Sequence, residues 1–188
     1  QQEPPQWPPS TVGSSRLGLH LRYKAAEGLR ARLQSHSELA LDIIDYPGEW
    51  LLDLPLLEMS YLQWCEFSWQ LFDREHRAAL AQPFLQQLQG ADLTNDGELY
   101  VQQLTDSYKQ LLQQYHALPG AYLNQPGRLL VPGPLAGAPM LQLFPLLPQQ
   151  AGQNSALVQK LTQHYDSYCK HVIKPFYRRY FAALDRQV

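Results

Sequence analysis

The chain of 188 residues is 45% hydrophobic and 17% charged, which excludes disorder along its whole length and fits one compact domain or a lobe of a larger protein. Its 15 basic residues nearly balance its 17 acidic ones, so the chain as a whole is not marked as a nucleic-acid or anionic-membrane binder. Two distant cysteines and a start, QQEPPQWPPS, without the charged-then-apolar pattern of a secretory signal predict a cytoplasmic protein.

The first third of the chain predicts an extended arm followed by two strands. Four prolines within residues 1–13 disfavour both helix and strand there. Apolar residues then alternate with polar ones over about residues 15–23, the period of a half-buried strand. A mostly apolar run at residues 39–45 predicts a second strand, which ends on Asp45 just before a turn.

Helices and loops are predicted for the rest of the chain. Helical spacing of aromatic residues predicts one or two helices between Glu58 and about Leu80, with Pro83 as a break. Asp92 or Thr94 is the predicted cap of the next helix. That helix carries several tyrosines and leucines on one face and is expected to end by Gly120.

A proline-rich segment precedes the predicted last helix. Residues 119–152 contain seven prolines, and the segment is too apolar for an ordinary exposed loop, so we expect it to pack against other elements. Leu129–Val131 is a possible short strand within it. The last helix is predicted to begin near Ser155 and to kink or restart at Pro175.

The sequence Asp45-Tyr46-Pro47-Gly48-Glu49 has the D-x-x-G form of a GTPase phosphate-contact motif. An aspartate at a strand end can hold Mg²⁺ through a water molecule, and a following glycine lets its N–H approach a terminal phosphate. Glu49 is then placed to orient the attacking water. The tetrad alone also fits a plain turn between a strand and a helix.

Four segments resemble the YcjX-like family, a stress-associated group of P-loop GTPases, in the same order along the chain. They are LDIIDYPGEWLLDLPLL (41–57), PPQWPPSTVGSS near the start, QPGRLLVPGPLAGAPMLQLFP (125–145) and CKHVIKPFYRRYFAALDRQV at the end. The resemblance covers essentially the whole chain, and the chain resembles only the middle part of the family's length.

The predicted elements make an α+β chain that is predominantly α-helical. Its two strands resemble part of a Ras-like P-loop GTPase sheet, and its helices resemble a large inserted lobe. The implied division has residues 1–57 in the GTPase domain, residues 58–183 in the helical lobe and residues 184–188 returning to the sheet.

The resemblance also implies roles for four residues in GTP binding and hydrolysis. Glu49 is the implied catalytic residue, Gly48 a phosphate contact, and Asp45 a ligand of Mg²⁺ through water. Thr11 resembles the threonine of the first switch region, which meets both Mg²⁺ and the terminal phosphate, although the adjacent Ser10 could serve instead. Hydrolysis or nucleotide exchange would move the segment 47–57, and the helical lobe would report that movement to a partner.

Two GTPase motifs are absent from the sequence. A P-loop requires G-x-x-x-x-G-K-[ST], and none of the five lysines follows a glycine. No lysine has an aspartate two residues later, so the guanine-specifying N/T-K-x-D motif is absent as well. We therefore expect Mg²⁺ with GTP or GDP in an intact protein, and neither nucleotide binding nor activity from this chain alone. The expected partners are a guanine nucleotide and a protein. One alternative locates that protein at a membrane surface, and no nucleic acid is expected to bind.

An alternative from another class treats the chain as a helical interaction module without nucleotide dependence. Its D-x-x-G turn would then be structural. A protein or membrane partner would contact Trp50, Leu51 and the basic aromatic end, where Lys170, Lys174 and Arg178 interleave with aromatic residues. For that end, a solvated helix face is the simpler interpretation.

Overall fold

The computed structural model describes residues 11, 13–23, 36–118 and 123–182. The chain divides into two compact units, Gln1–Pro47 and Gly48–Val188. In the described residues the first unit contains a β-hairpin and the second contains helices, which confirms an α+β chain that is predominantly helical. Ser10, most of the proline-rich arm and residues 184–188 lie outside the described residues.

The hairpin consists of two antiparallel strands, β1 (Ser15–Tyr23) and β2 (Ser37–Asp45). Their register pairs Ser15 with Asp45 and Tyr23 with Ser37. Both predicted strands are confirmed, and the second begins two residues before its predicted start at residue 39.

Seven apolar side chains of the hairpin lie on one face. Because Leu17 pairs with Ile43 and side chains alternate along each strand, the odd-numbered residues of both strands share this face. We call it the apolar face; most of its side chains are between 42% and 55% exposed, and its members are Leu17, Leu19, Leu21, Tyr23, Leu39, Leu41 and Ile43. On the opposite face, Arg16 Nη2 lies 2.6 Å from Asp42 Oδ2 in an exposed ion pair, which lowers the pKa of Asp42.

A 3₁₀ helix, Gly48–Glu58, begins the second unit. Its buried residues are Trp50, Asp53 and Leu56. Residues three apart align on one side of a 3₁₀ helix, so this spacing gives the helix one buried side. The compact helical unit thus begins at Gly48, ten residues before residue 58, where the resemblance implies that the helical lobe begins. The division between GTPase domain and lobe stays a prediction.

Seven α-helices follow among the described residues: α1 (Tyr61–Phe72), α2 (Glu75–Gln89), α3 (Glu98–His116), α4 (Gly127–Leu130), α5 (Pro148–Ala151), α6 (Ala156–Tyr168) and α7 (Lys174–Tyr180). The predicted break at Pro83 is wrong, because α2 continues through this residue. Pro83 is exposed, whereas Phe84 and Leu88 are buried on the inner side of the helix. Packing on that side therefore outweighs the loss of one backbone hydrogen bond.

The predicted cap of α3 is also wrong. The residue that precedes the helix is Gly97, which makes no side-chain cap. Asp92 instead closes a turn, because its Oδ1 accepts hydrogen bonds from the backbone N and the hydroxyl of Thr94 at 2.9 and 2.7 Å. The same side-chain chemistry that caps helices thus stabilises an Asx turn here.

The proline-rich segment packs against the helices, as predicted, in its described part. Leu143, Phe144 and Leu146 are fully buried. Tyr61 donates its hydroxyl proton to the carbonyl of Phe144 at 3.1 Å, which satisfies a backbone acceptor that no secondary structure uses. The predicted strand at Leu129–Val131 is wrong, because Leu129 and Leu130 lie in the single turn of α4 and Val131 directly follows it.

The last helical region begins as predicted, with Ser155 as the cap of α6 and its hydroxyl accepting from Val158 N. A π-helical turn, Cys169–Ile173, then joins α6 to α7. Pro175 directly follows this π-helical turn, and because the backbone on both sides of the turn is helical, it lies within a continuous helical run and not at a helix start. None of the described helices combines the length and hydropathy needed to cross a membrane.

Candidate functional site

Two of the sequence-predicted site residues meet at the end of the hairpin. The Thr11 hydroxyl donates a hydrogen bond to Asp45 Oδ2 at 3.0 Å. The antiparallel register explains the meeting, because it places Asp45 opposite Ser15, and Thr11 comes four residues before Ser15. The two residues are 34 positions apart in sequence, and the hairpin brings them together.

The donor set at this end fits Mg²⁺. A carboxylate and a hydroxyl are hard oxygen ligands, and Mg²⁺ is typically held by one or two carboxylates together with waters and substrate phosphates. Both side chains are accessible, so they can exchange their mutual hydrogen bond for a cation. Among the described residues, no group of three or more His, Cys, Asp or Glu side chains could enclose a metal ion.

Gly48 and Glu49 lie at the start of the 3₁₀ helix. Gly48 is exposed, and an added Cβ would meet nothing within 4 Å. The space on the Cβ side of Gly48 is therefore open. Glu49 is half-buried, and its carbonyl group lies against the Cα of Gly127 in the neighbouring turn.

Asp53, which the sequence analysis did not select, is a buried carboxylate with three donors. Its Oδ1 accepts from Gly127 N at 2.7 Å, and its Oδ2 accepts from Arg128 N at 3.4 Å and from the Tyr168 hydroxyl at 2.5 Å. Burial raises the pKa of Asp53 to about 6, opposed by the hydrogen bonds from Tyr168 and the two backbone amides. The sequence carries no clear signal for this inward position, because leucines flank Asp53 on both sides and only the fold shows that every third residue from Trp50 to Leu56 faces inwards.

Trp50 is part of the same packing. Its Nε1 donates to the carbonyl of Val131 at 2.8 Å, and the Arg128 guanidinium carbon lies 3.2 Å from the centre of its ring. Only 5% of the residue is exposed, so Trp50 is not accessible to a partner and this element of the interaction-module alternative is wrong. Leu51, by contrast, is 36% exposed.

The basic aromatic end keeps its cations at the surface. Lys170, Lys174, Arg178 and Arg179 are exposed, and Tyr177 is 43% exposed. Phe176 is buried, with its ring centre 5.9 Å from that of Trp50. The aromatic residues of this end are thus divided between the interior and the surface.

The sequence matches the YcjX-like family, DUF463, over residues 1–188. This chain belongs to that family. It is 42% identical over 196 residues to a Ras-like GTPase YcjX of Shewanella oneidensis, covering 98% of this chain and 40% of the relative. It is 34% identical over 195 residues to a Ras-like GTPase YcjX of Escherichia coli K12, covering 99% of this chain and 42% of the relative. The chain thus spans about two fifths of the length of these curated members of the YcjX-like family.

Proposed function

We propose that this chain is the switch-bearing and helical part of a YcjX-like protein that binds and hydrolyses GTP. The observation that carries the proposal is the hydrogen bond between the Thr11 hydroxyl and the Asp45 carboxylate. In the proposed reaction, Thr11 would hold Mg²⁺ through its hydroxyl, and Asp45 would hold the same ion through a water molecule. Bound Mg²⁺ would neutralise charge on the phosphate oxygens.

The residues after Asp45 have separate proposed roles. The Gly48 N–H donates to the terminal phosphate, and the open space at its Cα permits that approach. The Glu49 carboxylate orients the attacking water. Because the 3₁₀ helix is packed within the helical unit, a displacement at its first residues would be passed to the helices, where a partner protein could respond to it.

We further propose that the hairpin belongs to a larger sheet in the intact protein. The supporting observation is its apolar face, since seven apolar side chains on one side of two strands are typical of a sheet face that other elements cover. The relatives, of which this chain covers 40% and 42%, have the additional length for such elements.

The test is calorimetric titration of GTP and GDP, each with Mg²⁺, into this chain and into the full-length protein that contains it. We expect binding to the full-length protein alone, because the P-loop sequence is absent here. Absence of binding to both would contradict the proposal and favour the interaction module.

Substitutions in the full-length protein separate the proposed roles. Thr11→Ala and Asp45→Asn are each expected to weaken Mg²⁺-dependent GTP binding at least tenfold. Asp42→Asn is the matched control, because Asp42 lies on the same strand and pairs with Arg16 instead. Glu49→Gln is expected to lower the hydrolysis rate with GTP affinity retained; an unchanged rate would remove Glu49 from the mechanism.

A further inference from the structure

The 3₁₀ helix and α4 approach each other closely at Gly127. A Cβ on this residue would lie 1.9 Å from the Glu49 carbonyl oxygen and 2.6 Å from its carbonyl carbon. These are backbone atoms, so no side-chain rotation could relieve the overlap. The φ angle of Gly127 is not positive, so glycine is required here for space and not for its conformational freedom. The first turn of the 3₁₀ helix therefore rests directly on the backbone of α4.

Asp53 ties the same two elements together four residues later. Its carboxylate accepts the Gly127 and Arg128 amides, so it satisfies donors at the start of α4 that have no partner within that helix. The Tyr168 hydroxyl holds the carboxylate from α6 at 2.5 Å. Hydrogen bonds to an ionised acceptor are stronger than neutral ones, and a buried donor left without its acceptor is unfavourable.

Trp50 supplies a third connection between these elements. Its indole N–H donates to the Val131 carbonyl, and its ring lies beneath the Arg128 guanidinium. Residues 127–131 thus contact Glu49, Trp50 and Asp53, which are all in the first half of the 3₁₀ helix. The backbone position of Glu49 is consequently set by α4.

We propose that Gly127 and Asp53 are positioning residues for Glu49, which hold its backbone so that its carboxylate reaches the attacking water. This inference rests on the hydrolytic role proposed for Glu49. The position of the water-orienting residue would then depend on a distant part of the helical unit, because Gly127 lies 74 positions after Asp53 and 78 positions after Glu49.

The first test compares Gly127→Ala with Gly152→Ala in the full-length protein. Gly152 ends α5, and a Cβ there would meet only the Pro148 carbonyl oxygen at an ordinary 3.7 Å. We expect Gly127→Ala to lower kcat for GTP hydrolysis at least tenfold, to change the Kd for GDP less than twofold and to speed amide hydrogen exchange in residues 48–53. Gly152→Ala should leave all three measurements unchanged. An unchanged kcat in Gly127→Ala would overturn the proposal.

A double-mutant cycle with Glu49→Ala shows whether Gly127 acts through Glu49. If it does, the double variant hydrolyses GTP no more slowly than Glu49→Ala alone. Independent, multiplying losses would overturn the positioning role while leaving the role of Glu49 intact. No loss in Glu49→Ala itself would reject the role of Glu49 and this inference together.

Asp53 variants keep the proposal testable if Gly127→Ala does not fold. Asp53→Asn retains an oxygen that can accept from Gly127 N, whereas Asp53→Ala does not. We expect the asparagine variant to keep kcat within about threefold of the wild type and the alanine variant to lose at least tenfold, with the Kd for GDP unchanged in both. Equal kcat values for the two variants would contradict the assignment.

Discussion

The Asp53 carboxyl group lies where its charged form is poorly solvated, and three donors offset only part of that penalty. The groups that face it are the Tyr168 hydroxyl, the amides of Gly127 and Arg128, and the Arg128 guanidinium, whose charge also lowers its pKa. Its pKa of about 6 in the folded state compares with an ordinary value of 3.8 for an aspartate side chain. Between these values the folded protein binds more protons at Asp53 than the unfolded protein does.

The sign of the resulting pH dependence follows from this difference. As pH rises from 5 to 7, the contribution of Asp53 to the free energy of unfolding should fall by about 1 kcal/mol. Urea unfolding of the wild type and Asp53→Asn at both pH values checks this, because the asparagine does not titrate. The wild type should lose more stability than the variant over this interval. Parallel behaviour of the two proteins would show that Asp53 does not titrate in this range.

Gly48 and Gly127 are glycines for different physical reasons, and this gives a second prediction at the scale of one residue. A Cβ at Gly48 meets open space, so Gly48→Ala should change the free energy of unfolding by less than about 1 kcal/mol. In the full-length protein the same change should weaken GTP binding more than GDP binding, because a methyl group would stand beside the terminal phosphate. Urea unfolding and paired nucleotide titrations measure the two effects; equal losses for GTP and GDP would count against the proposed phosphate contact.

At the scale of single elements, the sequence predicts strands better than it predicts helix ends. The period-two pattern of β1 has one explanation, because successive side chains of a strand point to opposite faces. Local preferences predict a helix break at Pro83 and a helix cap at Asp92. Packing on the inner side of α2 instead keeps that helix continuous, and Asp92 forms a turn before α3. The 3₁₀ helix is not evident from the sequence, because apolar residues also occupy positions between Trp50, Asp53 and Leu56, and only the fold shows which of them face inwards.

The proline within α2 leads to a prediction for that helix. Pro83 is exposed and cannot donate a hydrogen bond to the preceding turn, so Pro83→Ala restores one donor at little loss of packing. We expect the free energy of unfolding to rise by about 1 to 2 kcal/mol, since proline also restricts the unfolded chain. Urea unfolding measures the change. Pro148→Ala is the control, because Pro148 is the first residue of α5 after a residue with non-helical backbone, and its replacement should bring no comparable gain.

At the scale of the whole molecule, the sequence predicted an α+β chain and its family, but not how distant residues combine. The meeting of Thr11 with Asp45 follows from the hairpin register once two antiparallel strands are assumed. The contacts of Asp53 with Gly127 and Tyr168 join positions 74 and 115 residues apart, and no spacing rule predicts such pairs. Contacts of this kind depend on how helices pack, which local patterns do not encode.

The apolar face of the hairpin has a practical consequence for work with this 188-residue chain by itself. In the described part of the chain the sheet has two strands, so each strand has a free edge beside an exposed apolar surface. Such a ribbon is a template on which further copies can assemble, and we expect concentration-dependent oligomers in sedimentation velocity. Ile43→Lys should shift them towards monomer, whereas His20→Lys adds its charge to the opposite face and should not. Oligomers unaffected by Ile43→Lys would show that the association uses another surface. If the apolar face does cause the association, nucleotide titrations of the isolated chain should be compared with those of the full-length protein only at concentrations where the chain sediments as a monomer.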